Sequence, residues 1–142
     1  MRETLFRGKH ENGNWLFGSL LIFFDKYYII PNKDRELGKS ASYKLLINYL
    51  PDYQVVPETV GQFTGEKCFI TGSDLYEGDI MELNLELHVI EFSYRAFVCR
   101  SLKKPNVVRA LGLFTQVTSV SMPGAKVGNI HDNPELLEER NK

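Results

Sequence analysis

The sequence predicts a mainly β protein: an antiparallel barrel-like or sandwich domain with a short C-terminal helix. Short runs of strand-forming residues recur along the chain, separated by turns rich in Gly, Pro and Asn. This pattern is typical of antiparallel β proteins rather than of layered α/β folds. The length of 142 residues and the hydrophobic content of 43% suit one compact domain, because a chain of this size buries roughly two thirds of its unfolded surface. We therefore expect a single domain over residues 1–142.

The N-terminal region, residues 1–56, predicts a β-hairpin followed by a further strand. Asn12-Gly13 is a two-residue turn signal, because both residues tolerate the positive φ of a type I′ turn. Strand-forming residues flank this turn over 4–8 and 15–23, and a third strand is expected over 27–30.

The stretch from Tyr43 to Leu50 is ambiguous in the sequence. Tyr43 and Ile47 belong to an alternation of apolar and polar residues that is typical of a half-buried strand. Leu46 and Leu50, however, lie one helical turn apart. We favour a strand here, and the helix stays open as the alternative.

The middle region, residues 57–131, predicts short strands between turns, and residues 132–142 predict a helix. Pro57 presets a φ that suits a single helical turn or a β-turn. Asp132 or Asn133 can cap the C-terminal helix, with Pro134 at its first position. The strands are expected over 80–83, 87–92, 96–100, 107–114, 116–121 and 125–130.

A signature of turn residues runs through this region. Its segments are Val56-Pro57-Glu58-Thr59, Gly61-Gln62-Phe63-Thr64-Gly65, Tyr76-Glu77-Gly78-Asp79-Ile80, Gly128-Asn129-Ile130 and Asn133-Pro134-Glu135-Leu136. They resemble the signature of the YopX family of phage and prophage proteins, and Phe6-Arg7-Gly8-Lys9 resembles the opening of that pattern. Cys68-Phe69-Ile70 departs from it, because the family usually has a polar loop there. The resemblance implies a protein of phage, prophage or mobile-element origin in a bacterial cytoplasm, and it implies no particular activity.

The turn at Tyr76-Glu77-Gly78-Asp79-Ile80 resembles the start of a small SH3-like barrel. Glu77 and Asp79 are also the only close carboxylate pair of the signature, and two carboxylates can divide acid and base work between them. Gly78 between them predicts a turn instead, where carboxylates hydrogen-bond the local backbone. We therefore expect a structural role for the signature turn residues Gly61, Gly65, Tyr76, Glu77, Gly78, Asp79, Gly128 and Asn129.

No catalytic, cofactor-binding or metal site is predicted. His10, His88 and His131 lack the spacing of a zinc motif. Cys68 and Cys99 lie among strand-forming residues without a Cys-x-x-Cys pattern, which predicts two buried thiols in a reducing compartment.

The basic residues of the chain are distributed unevenly. Between Phe92 and His131 there is no Asp or Glu. Basic and aromatic residues together are typical of sequence-tolerant nucleic-acid binding. The candidate nucleic-acid face consists of Arg95, Arg100, Lys103, Lys104 and Arg109. The opposing interpretation is that folding brings acids to these residues and to Lys126. An isoelectric point near 6.3 and the lack of a named nucleic-acid motif weigh against nucleic-acid binding.

The function that we favour is a non-enzymatic module that binds a protein partner or associates with itself. It requires an apolar or aromatic surface patch. The alternatives are a nucleic-acid-binding accessory protein that uses the Arg95–Arg109 face, and an enzyme that uses Glu77 and Asp79. No cofactor is expected, because no motif for one occurs. No membrane contact is expected either, because the longest apolar run, Leu20 to Phe24, is far shorter than the about 20 residues that cross a bilayer.

Overall fold

The computed structural model describes residues 5–31, 48, 50–116 and 123–141, and these residues form a mainly β structure. The predicted fold class is thereby confirmed. The chain divides into two compact units, Met1–Phe63 and Thr64–Lys142. The strands are β1 (Phe6–Lys9), β2 (Trp15–Phe23), β3 (Lys26–Ile30), β4 (Gln54–Val55), β5 (Gly61–Lys67), β6 (Asp74–Tyr76), β7 (Asp79–Leu83), β8 (Glu86–Ser93), β9 (Ala96–Ser101), β10 (Val108–Ala110) and β11 (Ala125–Asn129).

The N-terminal unit is an antiparallel sheet in the order β4-β3-β2-β1, and the start of β5 pairs with β1. Strand β2 changes partner midway: it pairs with β1 as far as Gly18 and with β3 beyond that residue. A Cβ atom on Gly18 would collide with the carbonyl oxygen of Ile30, so this close approach requires glycine. The chain after β4 returns to β1, where the Val56 N–H donates to the Lys9 carbonyl at 2.8 Å.

The hairpin of β1 and β2 is confirmed, but the predicted type I′ turn at Asn12-Gly13 is wrong. Only Gly13 has a positive φ, +92°, and it closes a longer loop in which the Gly13 N–H donates to the His10 carbonyl at 2.9 Å. Side chains stabilise this loop. The Asn12 N–H donates to Nδ1 of His10, and Oδ1 of Asn12 accepts the N–H of Asn14.

Type I′ geometry occurs instead at three turns without glycine. Both central residues have a positive φ at Phe24-Asp25, at Asn84-Leu85 and at Tyr94-Arg95. Each of these pairs joins two adjacent antiparallel strands, and the right-handed twist of such strands favours type I′ turns. The sheet register therefore determines these turns, rather than the local preference of the residues.

The favoured strand over Tyr43 to Leu50 is wrong where it is described. Asn48 and Leu50 are helical, and the helix continues over residues 51–53. Residues 43–47 and 49 lie outside the described residues. Leu50 is buried, which agrees with a helical face that begins before β4.

The C-terminal unit contains a five-stranded antiparallel sheet in the order β10-β9-β8-β7-β11, together with most of β5 and with β6. Cys68 after β5 and Leu75 of β6 pack on one face of this sheet, which gives the unit sandwich-like layers. In the described part of the chain the strands do not close into a barrel. The core on this face consists of Cys68, Leu75, Met81, Ile90, Cys99, Leu111 and Phe114.

One predicted strand of this unit is shorter than expected, and another lies mostly outside the described residues. The predicted strand 107–114 ends at Ala110, and Gly112–Thr115 is a short helix, α1, that buries Phe114. Of the predicted strand 116–121, residues 117–121 lie outside the described residues. The last strand is confirmed as β11, and the helical turns are confirmed as 3₁₀ helices at Pro57–Thr59 and Pro134–Asn141.

Candidate functional site

Segments of the signature that are far apart in sequence meet at one corner of the C-terminal unit. Asp79 and Asn129 are paired across β7 and β11, and the Ile130 N–H donates to the Gly78 carbonyl at 2.9 Å. The side-chain oxygen of Asn129 accepts the N–H groups of His131 and Asp132, both at 2.9 Å. These contacts assign a turn-forming role to this part of the signature.

The carboxylate of Asp79 is fully buried at this corner. Its Oδ2 accepts the backbone N–H of Tyr76 at 2.8 Å and lies 3.3 Å from Nζ of Lys126. Glu77 is only half-buried. Asp79 therefore binds the local backbone and one lysine, as expected for a structural carboxylate.

The signature glycines lie at separate places, where they allow a positive φ or a close contact. Gly65 has a φ of +87° and Gly78 a φ of +90°. Gly61 pairs with Arg7 at the start of β5. A Cβ atom on Gly128 would collide with Oδ1 of Asn133, which is the atom that accepts the Asn129 N–H.

The five residues of the candidate nucleic-acid face do not share one surface. In the register of β9 and β10, Arg100 pairs with Val108 and Arg109 pairs with Cys99. Neighbouring residues along a strand point to opposite faces, so Arg100 and Arg109 lie on opposite faces of the sheet. Arg95 is exposed at the β8–β9 turn.

Folding also brings acids to several basic residues, as the opposing interpretation expects. Arg100 donates through Nε to Oε1 of Glu91 at 2.6 Å, and Arg109 lies 3.7 Å from Oε2 of Glu86. Lys126 contacts Asp79 as described above. Lys103 and Lys104 remain exposed in the loop between β9 and β10.

A buried polar network surrounds Arg109. His88 is fully buried, and its Nε2 lies 2.7 Å from Nη1 of Arg109. Because a guanidinium only donates, Nε2 must be the acceptor, and Nδ1–H then donates to the Glu86 carbonyl at 3.1 Å. Burial lowers the pKa of His88, and the positive charge of Arg109 lowers it further. The imidazole is therefore neutral at pH 7.

The Glu86 side chain completes this network. Its Oε1 accepts the Ser101 hydroxyl at 2.5 Å, and Ser101 Oγ in turn accepts the Lys104 N–H at 3.0 Å. The hydrogen bond from Ser101 lowers the pKa of Glu86 against the opposing effect of burial, and the charge of Arg109 lowers it further. Glu86 is thus an ionised carboxylate with a fixed orientation.

An open groove lies beside Glu86 and has a volume of about 230 Å³. One wall is the β7–β8 turn and the other is the loop after β9. The groove is lined by Asn84, Leu85, Glu86, Leu87, Lys103 and Lys104. Pockets that contain polar groups with perturbed pKa values are candidate binding sites.

The buried His88 predicts a loss of stability in mild acid. The pKa of His88 in the folded protein lies below the ordinary value of 6.5. Between these two pKa values, the unfolded state binds a proton and the folded state does not. The free energy of unfolding should fall as the pH drops through 6.5 and on towards the lower folded pKa. Urea denaturation at pH 7 and pH 5 measures this fall. Burial and the charge of Arg109 lower the folded pKa of His88, whereas Glu86 and the backbone of Met81 oppose this shift.

Two variants separate His88 from the other histidines. His88→Gln keeps an acceptor for Arg109 and should reduce the loss of stability between pH 7 and pH 5. His10→Gln, at a half-buried loop position, should keep the whole loss. Equal loss in both variants would contradict the assignment to His88.

A second feature is an aromatic cluster at the β8–β9 turn, which we call the aromatic tip: Phe92, Tyr94 and Phe97. Phe92 and Phe97 are paired across the two strands, and their rings meet edge to face with centroids 5.1 Å apart. Phe97 is packed against the core, whereas Phe92 is 54% exposed and Tyr94 is 83% exposed. The C-terminal unit therefore exposes the aromatic side chains of Phe92 and Tyr94 to solvent beside Phe97, which is packed against the core.

The two cysteines are free and buried, as predicted. Burial raises the pKa of Cys99 to about 12. Burial would also raise the pKa of Cys68, but hydrogen bonds from Thr71 and from backbone groups lower it overall. Within the described ranges, no three His, Cys, Asp or Glu side chains lie close enough together to hold a metal ion.

The sequence indicates only some residues of the groove and of the polar network around Arg109. The acid-free stretch indicated Arg109, Lys103 and Lys104, but Glu86, His88 and Ser101 were not grouped with them. Cross-strand pairing of His88 with Ser101 brings these residues together. The alternation Glu86-Leu87-His88 was a local signal for two polar residues on one face of a strand.

The predicted resemblance is confirmed by comparison with known families. A family model described as YopX protein matches residues 5–138, which is nearly the whole chain. No curated protein matches the chain. None of the helices in the described part of the chain has the length and apolar character needed to span a membrane.

Proposed function

The chain belongs to the YopX family, and for this member we propose a non-enzymatic role as a module that binds proteins. The observation that carries the proposal is the aromatic tip, where Phe92 and Tyr94 are 54% and 83% exposed. Adjacent aromatic side chains that stay exposed are typical of protein-binding surfaces. Phe97 supports them from the core, so the surface exists before a partner binds.

The backbone conformation of Tyr94 also supports a binding role, because this conformation costs free energy of folding. Tyr94 and Arg95 have φ values of 54° and 64°. A left-handed backbone costs a residue with a side chain roughly 1–2 kcal/mol, and Asn-Gly would fit this turn better. Tyr and Arg are the residue types enriched at binding hot spots. A role in binding explains why these residues are present at the turn.

The N-terminal unit repeats this arrangement at the β2–β3 turn. Phe24 is 79% exposed with a φ of 49°, and Ile22 is 54% exposed. Ile22 is paired with Tyr27, just as Phe92 is paired with Phe97. The repetition of an exposed apolar turn favours protein contacts, either with a second copy or with a host or phage protein.

The setting that we propose follows from the family. YopX proteins are associated with phages and prophages, so we place this chain in the cytoplasm of a bacterium that carries such an element. Nucleic-acid binding remains the alternative function. Lys103, Lys104 and Arg95 are exposed and favour it, whereas the engagement of Arg100 and Arg109 by acids weakens it.

Replacing Tyr94 with Asn tests the proposal without unfolding the protein. Asn suits the first position of a type I′ turn, so the free energy of unfolding should stay constant or rise. The loss of a hot-spot side chain should weaken association about tenfold or more. Sedimentation velocity over a concentration series measures this association. We expect the wild type to form a dimer or larger species and Tyr94→Asn to shift towards monomer.

The matched control is Leu85→Gly at the opposite end of β8. Leu85 is 94% exposed, and glycine completes an Asn-Gly turn there, so this variant removes apolar surface away from the aromatic tip. It should associate as the wild type does. Identical behaviour of wild type and Tyr94→Asn would contradict a role for the tip, and a wild type that is monomeric at every concentration would contradict self-association.

A further inference from the structure

We propose that the groove between the β7–β8 turn and the loop after β9 binds a ligand that carries a phosphate group. This site is separate from the aromatic tip and does not depend on the protein-binding function. The phosphate belongs either to a nucleic-acid backbone or to a small phosphorylated molecule, and these two sources share one chemistry of recognition.

The charges around the groove favour a dianionic group. Glu86 is balanced by Arg109, whose Nη1 lies 3.7 Å from Oε2. Among the described residues, neither Lys103 nor Lys104 forms an ion pair, and both are exposed. The two lysines therefore leave an excess positive charge on one wall, which attracts a phosphate.

The loop that carries the lysines is held in place by hydrogen bonds. The Ser101 N–H donates to the Val107 carbonyl at 3.0 Å, and the Val107 N–H donates to the Lys104 carbonyl at 2.7 Å. The Lys104 N–H is bound by Ser101 Oγ. Leu102, which is 1% exposed, anchors the loop with a hydrogen bond from its N–H to the Leu87 carbonyl. A site whose backbone is fixed before binding loses less entropy when the ligand arrives.

Glu86 is the one group of the groove that opposes an anion. Both of its oxygens are engaged, Oε1 by the Ser101 hydroxyl and Oε2 by the charge of Arg109. These partners are positioned by strand pairing, because His88 and Ser101 are opposite each other on β8 and β9. The carboxylate is thus held by Ser101 and Arg109. The charge of Lys104 also acts on it, but neither Lys103 nor Lys104 forms an ion pair among the described residues.

The opposite wall suits the organic part of a phosphorylated ligand. Asn84 supplies an amide that can donate to a phosphate oxygen. Leu85 is 94% exposed with a φ of 66°, so it forms an apolar rim that the fold does not use. A ligand with a phosphate and an apolar or aromatic body would contact both walls.

Titration of ¹⁵N-labelled protein with inorganic phosphate at low salt tests the proposal. We expect chemical-shift changes concentrated at Asn84, Leu85, Lys103 and Lys104. Lys103→Gln/Lys104→Gln should weaken the binding about fivefold or more, because each lysine contributes a charge-assisted contact. Lys26→Gln, at an exposed lysine of the other unit, is the matched control and should bind as the wild type does.

Titrations with three further ligands distinguish the two sources of phosphate. Adenosine 5′-monophosphate that binds more tightly than phosphate, and as tightly as a twelve-nucleotide single strand, indicates a small phosphorylated ligand. A single strand that binds far more tightly, with a steep salt dependence, indicates a nucleic-acid backbone. Binding of unphosphorylated adenosine as tight as that of the monophosphate would overturn the proposal. It would also be overturned by the absence of groove shifts with phosphate, or by equal shifts in the double lysine variant.

Discussion

Replacing Asp79 with Ala is expected to lower the free energy of unfolding by about 3 kcal/mol. The carboxylate is fully buried, accepts the Tyr76 N–H at 2.8 Å and lies 3.3 Å from Lys126. Its removal leaves a buried backbone donor without its acceptor and a lysine without its counter-charge. Urea denaturation with linear extrapolation measures the change.

Asp79→Asn separates the two contributions. The amide oxygen still accepts the Tyr76 N–H, whereas the charge opposite Lys126 is lost. We therefore expect a cost of about half that of the alanine variant, since the hydrogen bond and the ion pair contribute comparably. An alanine variant that loses less than about 1 kcal/mol would contradict the structural role of this signature residue.

Replacing Phe114 with Ala is expected to lower the free energy of unfolding by about 3–5 kcal/mol, the usual cost of deleting a core phenylalanine. The ring is fully buried and meets the His88 ring edge to face, with centroids 4.8 Å apart. The resulting cavity would also expose His88, so its pKa should rise towards the ordinary value. Thermal and urea denaturation give the stability, and the imidazole proton shifts follow the pKa.

Leu113 on the same short helix provides the control for Phe114. Its side chain is 47% exposed, so Leu113→Ala should cost less than about 1 kcal/mol. Both variants place alanine, the strongest helix former, in the helix. Equal losses in the two variants would show that helix α1 is not packed on the sheet as described.

The sequence allowed most strands to be predicted, because turn residues separate them and apolar residues alternate within them. The errors occurred where tertiary contacts override local preference. Asn12-Gly13 resembles a type I′ turn, but the side chains of His10 and Asn12 stabilise a longer loop. Phe114 ends an apolar run that resembles a strand, and its burial over His88 accompanies a helix instead.

The candidate sites were harder to predict from the sequence than the fold. Arg100 and Arg109 are close in sequence, yet the strand register places them on opposite faces. Glu86 and Ser101 are far apart in sequence, yet the same sheet brings their side chains within 2.5 Å. Exposure of Tyr94 depends on a turn conformation that its own sequence does not favour.

Site-specific photo-crosslinking from position 94 is the most direct test of the protein-binding role. A photo-reactive phenylalanine derivative placed there should form a discrete protein adduct of defined mass, in the purified protein or inside cells that produce it. The same derivative at position 85, which is also exposed and lies at the other end of β8, should give no protein adduct. Identical adducts from both positions, or none from position 94, would contradict protein binding through the aromatic tip.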